Sequence, residues 1–395
     1  MEYVYLKVPK DEISSRIQRL EVSLREANLD GAILLSTTEL YYYSGIGIPG
    51  AVYVPADGEA MRLAERNENL VSAYSGISDV RPMGRQSKLF ETLGISKGSR
   101  IAMESDIIPY SLMTFLKSRV KGIDLVDGSS IFRTIRSRKS EFEITLIEKA
   151  ADLVDESLVH CCEIVTPDMT EIELSMHLDS WLVEHGHAGY ITTRAFNSSM
   201  LIYSYVVSSS SSSLNTFFTP ISGQGLSLKH PFGPTRRKLG RNRPFLVDSC
   251  GNINGYISDT TRTLVCGKFE KDARRKLTIL QEIKEFITNR MRPGVSLGSL
   301  YTEVIELSKE LDVNDQFMGY QTDKVAFIGH GVGLELDELP IFYSRGPPLE
   351  EGNILASEPK LILPGHEVLG IEDTYAITER DCRVLSRSED WLEIA

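Results

Sequence analysis

The sequence predicts an α/β (α+β) fold that is divided into two domains. A chain of 395 residues is longer than the size at which one hydrophobic core usually stops growing, so two domains are expected. Helical and strand-like segments alternate in the first third, whereas strand pairs with a helical insertion dominate the last part. A polar segment separates the two parts, and we place the domains at residues 1–136 and 137–395.

The N-terminal third shows both periodicities in turn. An amphipathic stretch at residues 13–27 predicts a helix, and the apolar run at 31–36 predicts the strand that follows it. Further strand-like runs lie at 51–55, 100–102 and 123–126, each bounded by turn-forming or charged residues. This order of elements predicts an α/β domain.

The boundary segment, residues 132–143, is polar and carries both signs of charge. Its basic residues are Arg133, Arg136, Arg138 and Lys139. We interpret them as a solvated linker rather than an anion site. Helical patterns follow at residues 141–165, 171–185, 271–291 and 296–311, and a run of serines at Ser208 to Ser213 predicts a flexible loop.

The composition is that of an acidic globular protein. Apolar residues make up 42% and charged residues 25% of the chain, which predicts a packed core. The net charge of -12 argues against a nucleic-acid partner, because phosphate binding requires concentrated Lys and Arg. No apolar run approaches the roughly 18 residues of a membrane span, and no signal-peptide pattern is present. Five cysteines without C-x-x-C spacing predict free thiols that serve in packing. We expect a cytoplasmic protein without a membrane partner.

Two predicted hairpins each set a pair of acidic residues on facing strands. In the first, the turn cluster Gly-Asn-Ile-Asn-Gly at residues 251–255, centred between Ile253 and Asn254, would place Asp248 opposite Asp259. Directly opposed residues have Cβ atoms about 4.5–5.5 Å apart, and two carboxylates at that distance repel each other. A bound cation would remove this penalty.

The second hairpin, residues 355–378, has Pro-Gly-His at 364–366 as turn material. A turn centred on Gly365 would place Glu358 opposite Glu372. A single acidic pair is explained as well by solvation at a sheet edge, but two such pairs favour a cation site.

His330 completes the set of candidate ligands. It follows a strand-like run, and its neighbouring glycines allow the backbone to approach other groups closely. A lone histidine is more often structural than a ligand. Beside four carboxylates, however, one imidazole suits two ions of Mn, Co, Zn or Fe, held about 3.5–4 Å apart. The predicted metal ligands are Asp248, Asp259, His330, Glu358 and Glu372.

The segments that contain these residues resemble the motifs of metallopeptidase family M24, which includes Xaa-Pro dipeptidase, aminopeptidase P and methionine aminopeptidase. VDSCGNINGYISDTTRT at 247–263 resembles the family's VDxGxxxxGYxSDxTRT, and GHGVGLELDE at 329–338 resembles GHGVGLxxHE. SEP at 357–359 and GIEDT at 370–374 resemble its EP and RIEDT elements. LDGAILLSTTELYYYSGI at 29–46 resembles the N-terminal domain of the prolidase and creatinase branch.

This resemblance implies a creatinase-like N-terminal α/β domain, a C-terminal pita-bread catalytic domain and a homodimer. It implies that Asp248 binds one metal ion, that His330 and Glu358 bind the other, and that Asp259 and Glu372 bridge them. A hydroxide between two cations would be the nucleophile, and Glu358 is the candidate for transferring its proton to the leaving amine. The predicted activity is cleavage of Xaa-Pro bonds in dipeptides or short peptides.

Three positions near the ligands depart from the family motifs. Asp337 replaces the second histidine of GHGVGLxxHE, Gly370 replaces the arginine of RIEDT, and Ser249-Cys250 follows Asp248 where the motif has a residue and Gly. In addition, Ala326 occupies the place of an upstream histidine. In the family, the two histidines help to bind the peptide and stabilise the tetrahedral intermediate. The departures suggest two alternatives. One is the same metal site acting on a small nitrogenous or sulfonium compound, as in creatinase, ectoine hydrolase or a sulfonium-propionate lyase. The other is a non-catalytic binding protein, against which the retained ligands argue.

Other polar motifs have weaker signals. His230 is the nearest candidate for the histidine that precedes the first Asp in proline-specific members, or else a loop residue. Asp337 would contact the substrate amine or be a surface acid. His185 and His187 have the spacing of a metal site, but their glycine neighbours favour a solvated turn. The G-x-G-x-x-G sequence at 45–50 precedes a strand-like run rather than the helix required for dinucleotide binding, and we reject it.

Overall fold

The computed structural model describes residues 6–194, 200, 202–208, 219–320, 322–363 and 367–395. They belong to two compact units, Met1–Arg136 and Ser137–Ala395. Both units combine helices with sheets, which confirms the predicted fold class. The predicted turn at 364–366 and the serine run after Ser208 lie outside the described residues.

The N-terminal unit is a six-stranded mixed sheet accompanied by helices. Its strands are β1 (Gly31–Leu34), β2 (Gly50–Pro55), β3 (Met61–Ala64), β4 (Asp79–Pro82), β5 (Arg100–Met103) and β6 (Asp124–Asp127). Its helices are α1 (Lys10–Glu26), α2 (Thr37–Ser44), α3 (Glu68–Tyr74), α4 (Leu89–Thr92), α5 (Tyr110–Arg119) and α6 (Ser129–Ser137). The strand order is β4-β3-β2-β1-β5-β6, with β1 antiparallel to β2 and parallel to β5. The predicted helix and strands of this third are all present.

The described residues of the C-terminal unit form two larger sheets and two short hairpins. Its strands are β7 (Ser204–Ser208), β8 (Pro244–Ile253), β9 (Tyr256–Cys266), β10 (Gly319–Tyr320), β11 (Asp323–Lys324), β12 (Phe327–Gly331), β13 (Glu338–Tyr343), β14 (Ile354–Ser357), β15 (Lys360–Leu363), β16 (Glu367–Gly370), β17 (Asp373–Ile377), β18 (Cys382–Val384) and β19 (Trp391–Ile394). The sheet orders are β19-β9-β8-β7 and β13-β12-β14-β17-β18, and β15 and β16 form a separate hairpin, as do β10 and β11.

Among the residues that the structure describes, this unit has four α-helices: α7 (Glu141–Ile164), α8 (Glu171–Glu184), α9 (Lys271–Thr288) and α10 (Leu297–Glu310). Both α7 and α8 begin at a capping box, in which the hydroxyl of Ser140 or Thr170 and a glutamate three residues later satisfy each other's amides. Apolar residues of α9 and α10 share one core cluster with residues of β12, β14, β15, β16 and β17. These helices thus support β12, which carries His330, and the strands that flank Glu358 and Glu372.

Two further properties concern the whole described chain. Each of its helices is too short or too polar to cross a membrane. The five cysteines are free thiols, as the sequence predicts.

Two of the basic residues in the predicted linker are buried, which corrects the expectation of a solvated segment. Arg136 is 2% exposed, and its Nη1 lies 2.6 Å from Oε1 of Glu39. The ammonium of Lys139 lies 2.9 Å from Oε2 of the buried Glu338. Buried charges require such partners. Arg136 and Lys139 therefore anchor this segment through buried ion pairs. Arg138 is exposed, as predicted.

Candidate metal centre

The first acidic pair lies on the hairpin of β8 and β9. Ile253 pairs with Tyr256, so that Asn254 and Gly255 form a two-residue turn with φ of 53° and 94°. Asn-Gly favours such turns because both positions require positive φ. The turn is therefore centred one residue later than the sequence predicts.

This turn changes which residues face each other. Asp248 faces Thr261, and Asp259 faces Cys250, so the prediction that the two aspartates are directly opposed is wrong. The register differs by two residues, and side chains in a strand alternate with a period of two. The two carboxylates consequently stay on one face of the hairpin as diagonal neighbours.

The second hairpin has the predicted register. Lys360 faces Gly370 in the ladder of β15 and β16, which is the register that places Glu358 opposite Glu372. Strands β14 and β17 continue the same register on the other side of the two glutamates.

Hydrogen bonds join these hairpins to each other and to β12. The amide of Glu372 donates to the carbonyl of Thr261 at 3.0 Å, and the amide of Glu358 donates to the carbonyl of Ile328 at 2.9 Å. The Thr261 hydroxyl donates to Oε2 of Glu372 at 2.7 Å. Segments far apart in sequence thereby bring the five predicted ligands into one cluster.

Part of this cluster has the character of a metal site. Asp259, His330 and Glu372 offer ligand atoms that lie within 4.8 Å of one another. Nε2 of His330 is 3.8 Å from Oδ2 of Asp259 and 3.8 Å from Oε1 of Glu358. Oε1 of Glu372 is buried and has no hydrogen-bond partner among the described residues. An unsatisfied buried carboxylate oxygen is costly, and carboxylates with an imidazole suit a divalent cation. These residues fit a metal ion.

The ammonium of Lys360 occupies the other part of the cluster. Its Nζ lies 3.2 Å from Oδ2 of Asp248, 2.8 Å from Oε2 of Glu358 and 3.0 Å from Oε2 of Glu372. The side chain is 1% exposed. Burial lowers the pKa of Lys360, but the three carboxylates outweigh burial and hold the pKa well above its ordinary value. Lys360 is therefore a buried cation.

The positive charge of Lys360 does not balance the negative charge of the carboxylates. Burial raises the pKa of Asp259 well above its usual range, and the charges of Glu372 and Asp248 raise it further. Burial also raises the pKa of Asp248, against the opposing effect of Lys360. The Cys250 thiol donates to Oδ1 of Asp259 at 3.5 Å but adds no charge. The cluster thus calls for more positive charge than Lys360 supplies.

Lys360 was not predicted as a site residue, although the sequence contains a signal for it. It lies two residues after Glu358, and residues two apart in extended chain share a face. The residue that faces it in the predicted hairpin is Gly370, which has no side chain. Lysine is rarely buried without a partner, and no local pattern identifies that partner.

The other predicted site residues contact different groups. The ring of His230 packs against Phe232, with centroids 5.1 Å apart. Oδ1 of Asp337 accepts a hydrogen bond from the amide of Arg194 at 2.9 Å. Ala326 is exposed just before β12. These contacts involve none of the carboxylates above, so the roles of His230 and Asp337 in substrate binding stay predictions.

His187 is buried rather than solvated, whereas His185 is exposed as predicted. Nδ1 of His187 accepts from the amide of Gly189 at 3.0 Å, so Nε2 carries the proton and donates to the carbonyl of Cys250 at 3.2 Å. Burial lowers the pKa of His187 to about 4. The ring is therefore neutral at pH 7 and fixes the chain to β8.

We expect this histidine to destabilise the folded protein at acidic pH. Its folded-state pKa of about 4 lies below its ordinary value of 6.5, so the unfolded chain binds more protons between these values. The free energy of unfolding is therefore highest above about pH 6.5 and falls as the pH decreases towards 4, by at most about 3 kcal/mol. NMR titration of ¹³C-labelled histidines, with His187→Gln to assign the signal, measures this pKa. A folded-state pKa near 6.5 would contradict the buried neutral ring.

Comparison with known proteins identifies relatives of both units. The Metallopeptidase family M24 profile matches residues 145–379, and the Creatinase/Prolidase N-terminal domain profile matches residues 16–138. The chain is 25% identical over 383 residues to the Xaa-Pro dipeptidase of Pyrococcus furiosus, a match that covers 95% of this chain and 99% of the relative.

Solved structures share the fold over nearly the whole chain. The Xaa-Pro dipeptidase from Bacillus anthracis superposes with a TM-score of 0.81 at 22% identity and covers 97% of this chain and 100% of its own. The prolidase from Pyrococcus horikoshii OT3 superposes with a TM-score of 0.78 at 21% identity and covers 96% and 100%. These likenesses confirm the predicted arrangement of a creatinase-like domain followed by a larger C-terminal domain.

Proposed function

This chain belongs to metallopeptidase family M24, and we propose that it cleaves Xaa-Pro bonds in dipeptides or short peptides with the help of a divalent metal ion. The observation that carries the proposal is the set formed by Asp259, His330 and Glu372, in which a buried carboxylate oxygen of Glu372 has no hydrogen-bond partner in the part of the chain that the structure describes. The substrate follows from the relatives: the protein from Pyrococcus furiosus that matches along nearly the full chain is an Xaa-Pro dipeptidase.

Glu358 is our candidate for proton transfer. When bound, a divalent cation supplies Lewis acidity to the scissile carbonyl and lowers the pKa of the attacking water. Lys360 holds Oε2 of Glu358 at 2.8 Å, while Oε1 lies 3.8 Å from Nε2 of His330. One oxygen is thus fixed by the ammonium. The other faces the metal position, and with its remaining lone pair it would accept a proton from the attacking water and deliver it to the leaving amine.

The metal, the assembly and the substrate contacts belong to the same proposal. Mn, Co, Zn or Fe would suit a set of carboxylates and one imidazole. The sequence predicts two ions, but Lys360 already engages three of the carboxylates, so the proposal is based on a single metal ion. We retain His230 and Asp337 as candidate substrate contacts. The homodimer, the cytoplasmic location and the domains at 1–136 and 137–395 also stand as proposed.

A peptidase assay tests the activity. Purified protein supplied with Mn²⁺ or Co²⁺ is expected to release proline from Ala-Pro or Met-Pro. Glu358→Gln is expected to lower kcat by about 10²- to 10⁴-fold, the usual contribution of a general acid or base. The control Glu351→Gln, at an exposed glutamate, should retain the wild-type kcat.

The same assay separates the peptidase from the alternative small-molecule enzyme. Lys360 in the metal cluster and Asp337 in the histidine position favour that alternative. No proline release across a panel of Xaa-Pro peptides, together with turnover of creatine or a sulfonium compound, would replace the peptidase proposal. Loss of that turnover in Asp337→Ala, with bound metal intact, would assign the substrate contact to Asp337.

A further inference from the structure

The ammonium of Lys360 contacts the carboxylates as a bound metal ion would. Its three contacts reach Oδ2 of Asp248, Oε2 of Glu358 and Oε2 of Glu372 at 2.8 to 3.2 Å. An ammonium has three N–H donors, and the three oxygens engage all of them. A divalent ion bound to the same oxygens at about 2.0–2.2 Å would overlap the ammonium nitrogen. The second metal position therefore does not fit this chain while Lys360 is there.

The remaining ligand atoms form a separate set. Oε1 of Glu358 and Oδ2 of Asp259 both lie 3.8 Å from Nε2 of His330, and Oε1 of Glu372 has no partner among the described residues. Lys360 binds the opposite oxygen of each glutamate. Each of the two glutamates thus has one oxygen on the ammonium of Lys360 and one oxygen at the position that is left for a metal ion.

Gly370 provides the space that Lys360 occupies. A Cβ atom at residue 370 would lie 2.8 Å from Cγ of Lys360 and 3.5 Å from its Cδ and Cε. The first distance is shorter than van der Waals contact allows, so a side chain at this position would displace the lysine. Gly370 stands where the M24 motif RIEDT has arginine. The absence of a side chain at residue 370 therefore leaves the room that Lys360 needs among the carboxylates.

We propose that the ammonium of Lys360 replaces one of the two metal ions and that the centre binds a single divalent ion through Asp259, His330, Glu358 and Glu372. When all are ionised, the four carboxylates carry four negative charges, of which the ammonium offsets one and a divalent ion two. A second divalent ion would add two more positive charges beside the ammonium, which Coulomb repulsion opposes. The inference rests on the proposed use of a metal and changes the number of ions.

Metal stoichiometry tests the inference directly. Chelator-treated wild-type protein is reloaded with Mn²⁺, desalted and analysed by mass spectrometry of the metal, with protein quantified by amino-acid analysis. We expect one Mn²⁺ per chain and the electron paramagnetic resonance spectrum of isolated Mn²⁺ rather than that of a spin-coupled pair.

Two variants sharpen the test. Lys360→Ala removes the ammonium and is expected to raise the stoichiometry from one Mn²⁺ to two, with a spin-coupled spectrum. Asp248→Asn alters a contact of the ammonium but not of the remaining ion, so it should keep one Mn²⁺, whereas His330→Ala should lose it. The control Lys276→Ala, at a buried lysine that pairs with Asp272 instead, should match the wild type.

The outcomes separate this inference from the proposed activity. Two ions or none per wild-type chain would overturn it, as would loss of the ion in Asp248→Asn. These measurements use no substrate, so a failure to hydrolyse Xaa-Pro peptides would not alter them. If Lys360→Ala does not fold, the wild-type and Asp248→Asn stoichiometries decide the question.

Discussion

Replacing Asp259 with asparagine is expected to lower kcat for an Xaa-Pro dipeptide by at least about 1,000-fold, or about 4 kcal/mol in the activation barrier. Asp259 lies within 4.8 Å of the ligand atoms of His330 and Glu372. Asparagine has the same shape but no negative charge and one acceptor oxygen fewer. Bound Mn²⁺ should therefore fall together with kcat.

This loss should be chemical rather than structural. The amide and carbonyl of Asp259 both bond to the hydroxyl of Thr374, at 3.0 and 2.8 Å, and neither bond uses the carboxylate. The strand should keep its place and the Tm should not fall. The control Asp124→Asn changes an exposed acid of β6 and should behave as the wild type. An Asp259→Asn variant with full metal content and kcat within about tenfold of the wild type would refute the assignment.

Replacing Arg262 with methionine is expected to reduce the free energy of unfolding by about 3–5 kcal/mol, the range for breaking a buried ion pair. Arg262 is fully buried. Its Nη2 lies 2.6 Å from Oδ1 of Asp373, and its Nη1 donates to the carbonyl of Glu372 at 2.6 Å. Burial raises the pKa of Asp373, but Arg262 and Lys284 outweigh burial and hold the pKa below its ordinary value. The variant leaves this buried carboxylate with one of its two ion pairs in the described chain, the pair with Lys284.

Urea unfolding measures the effect. The matched control is Arg81→Met, since Arg81 forms a pair of similar length, 2.7 Å, with Asp79 on the surface. Exposed pairs contribute little, so the control should leave the urea midpoint unchanged. Because Arg262 also positions the backbone of Glu372, kcat should fall in Arg262→Met at temperatures where it is folded. Equal midpoints for the two variants would contradict the structural role of Arg262.

The elements of the fold could largely be predicted because their signals are local. The amphipathic period of α1 and the apolar run of β1 lie within single segments, and both elements are present where expected. Contacts between segments were harder to predict. Lys139 belongs to a charged stretch with the composition of a linker. It is nevertheless buried, because it forms an ion pair with Glu338, which is distant in sequence. The burial of His187 against Cys250 has the same cause.

The candidate site could be predicted in part. Strand periodicity alone keeps Asp248 and Asp259 on one face, and this survives an error of two residues in the register, because a shift of two preserves the face. The error itself arose in the turn, where the positive φ of Asn254 and Gly255 decides which residues pair.

By itself, the sequence determined which acidic side chains and which histidine lie together, since hairpin periodicity and motif spacing are properties of short segments. Only the tertiary structure decided that Lys360 lies among them. A lysine on a strand is exposed or buried according to what surrounds it, and here three carboxylates and the space above Gly370 receive it. Those groups come from separate strands, so their combined charge at one point exists only in the folded chain.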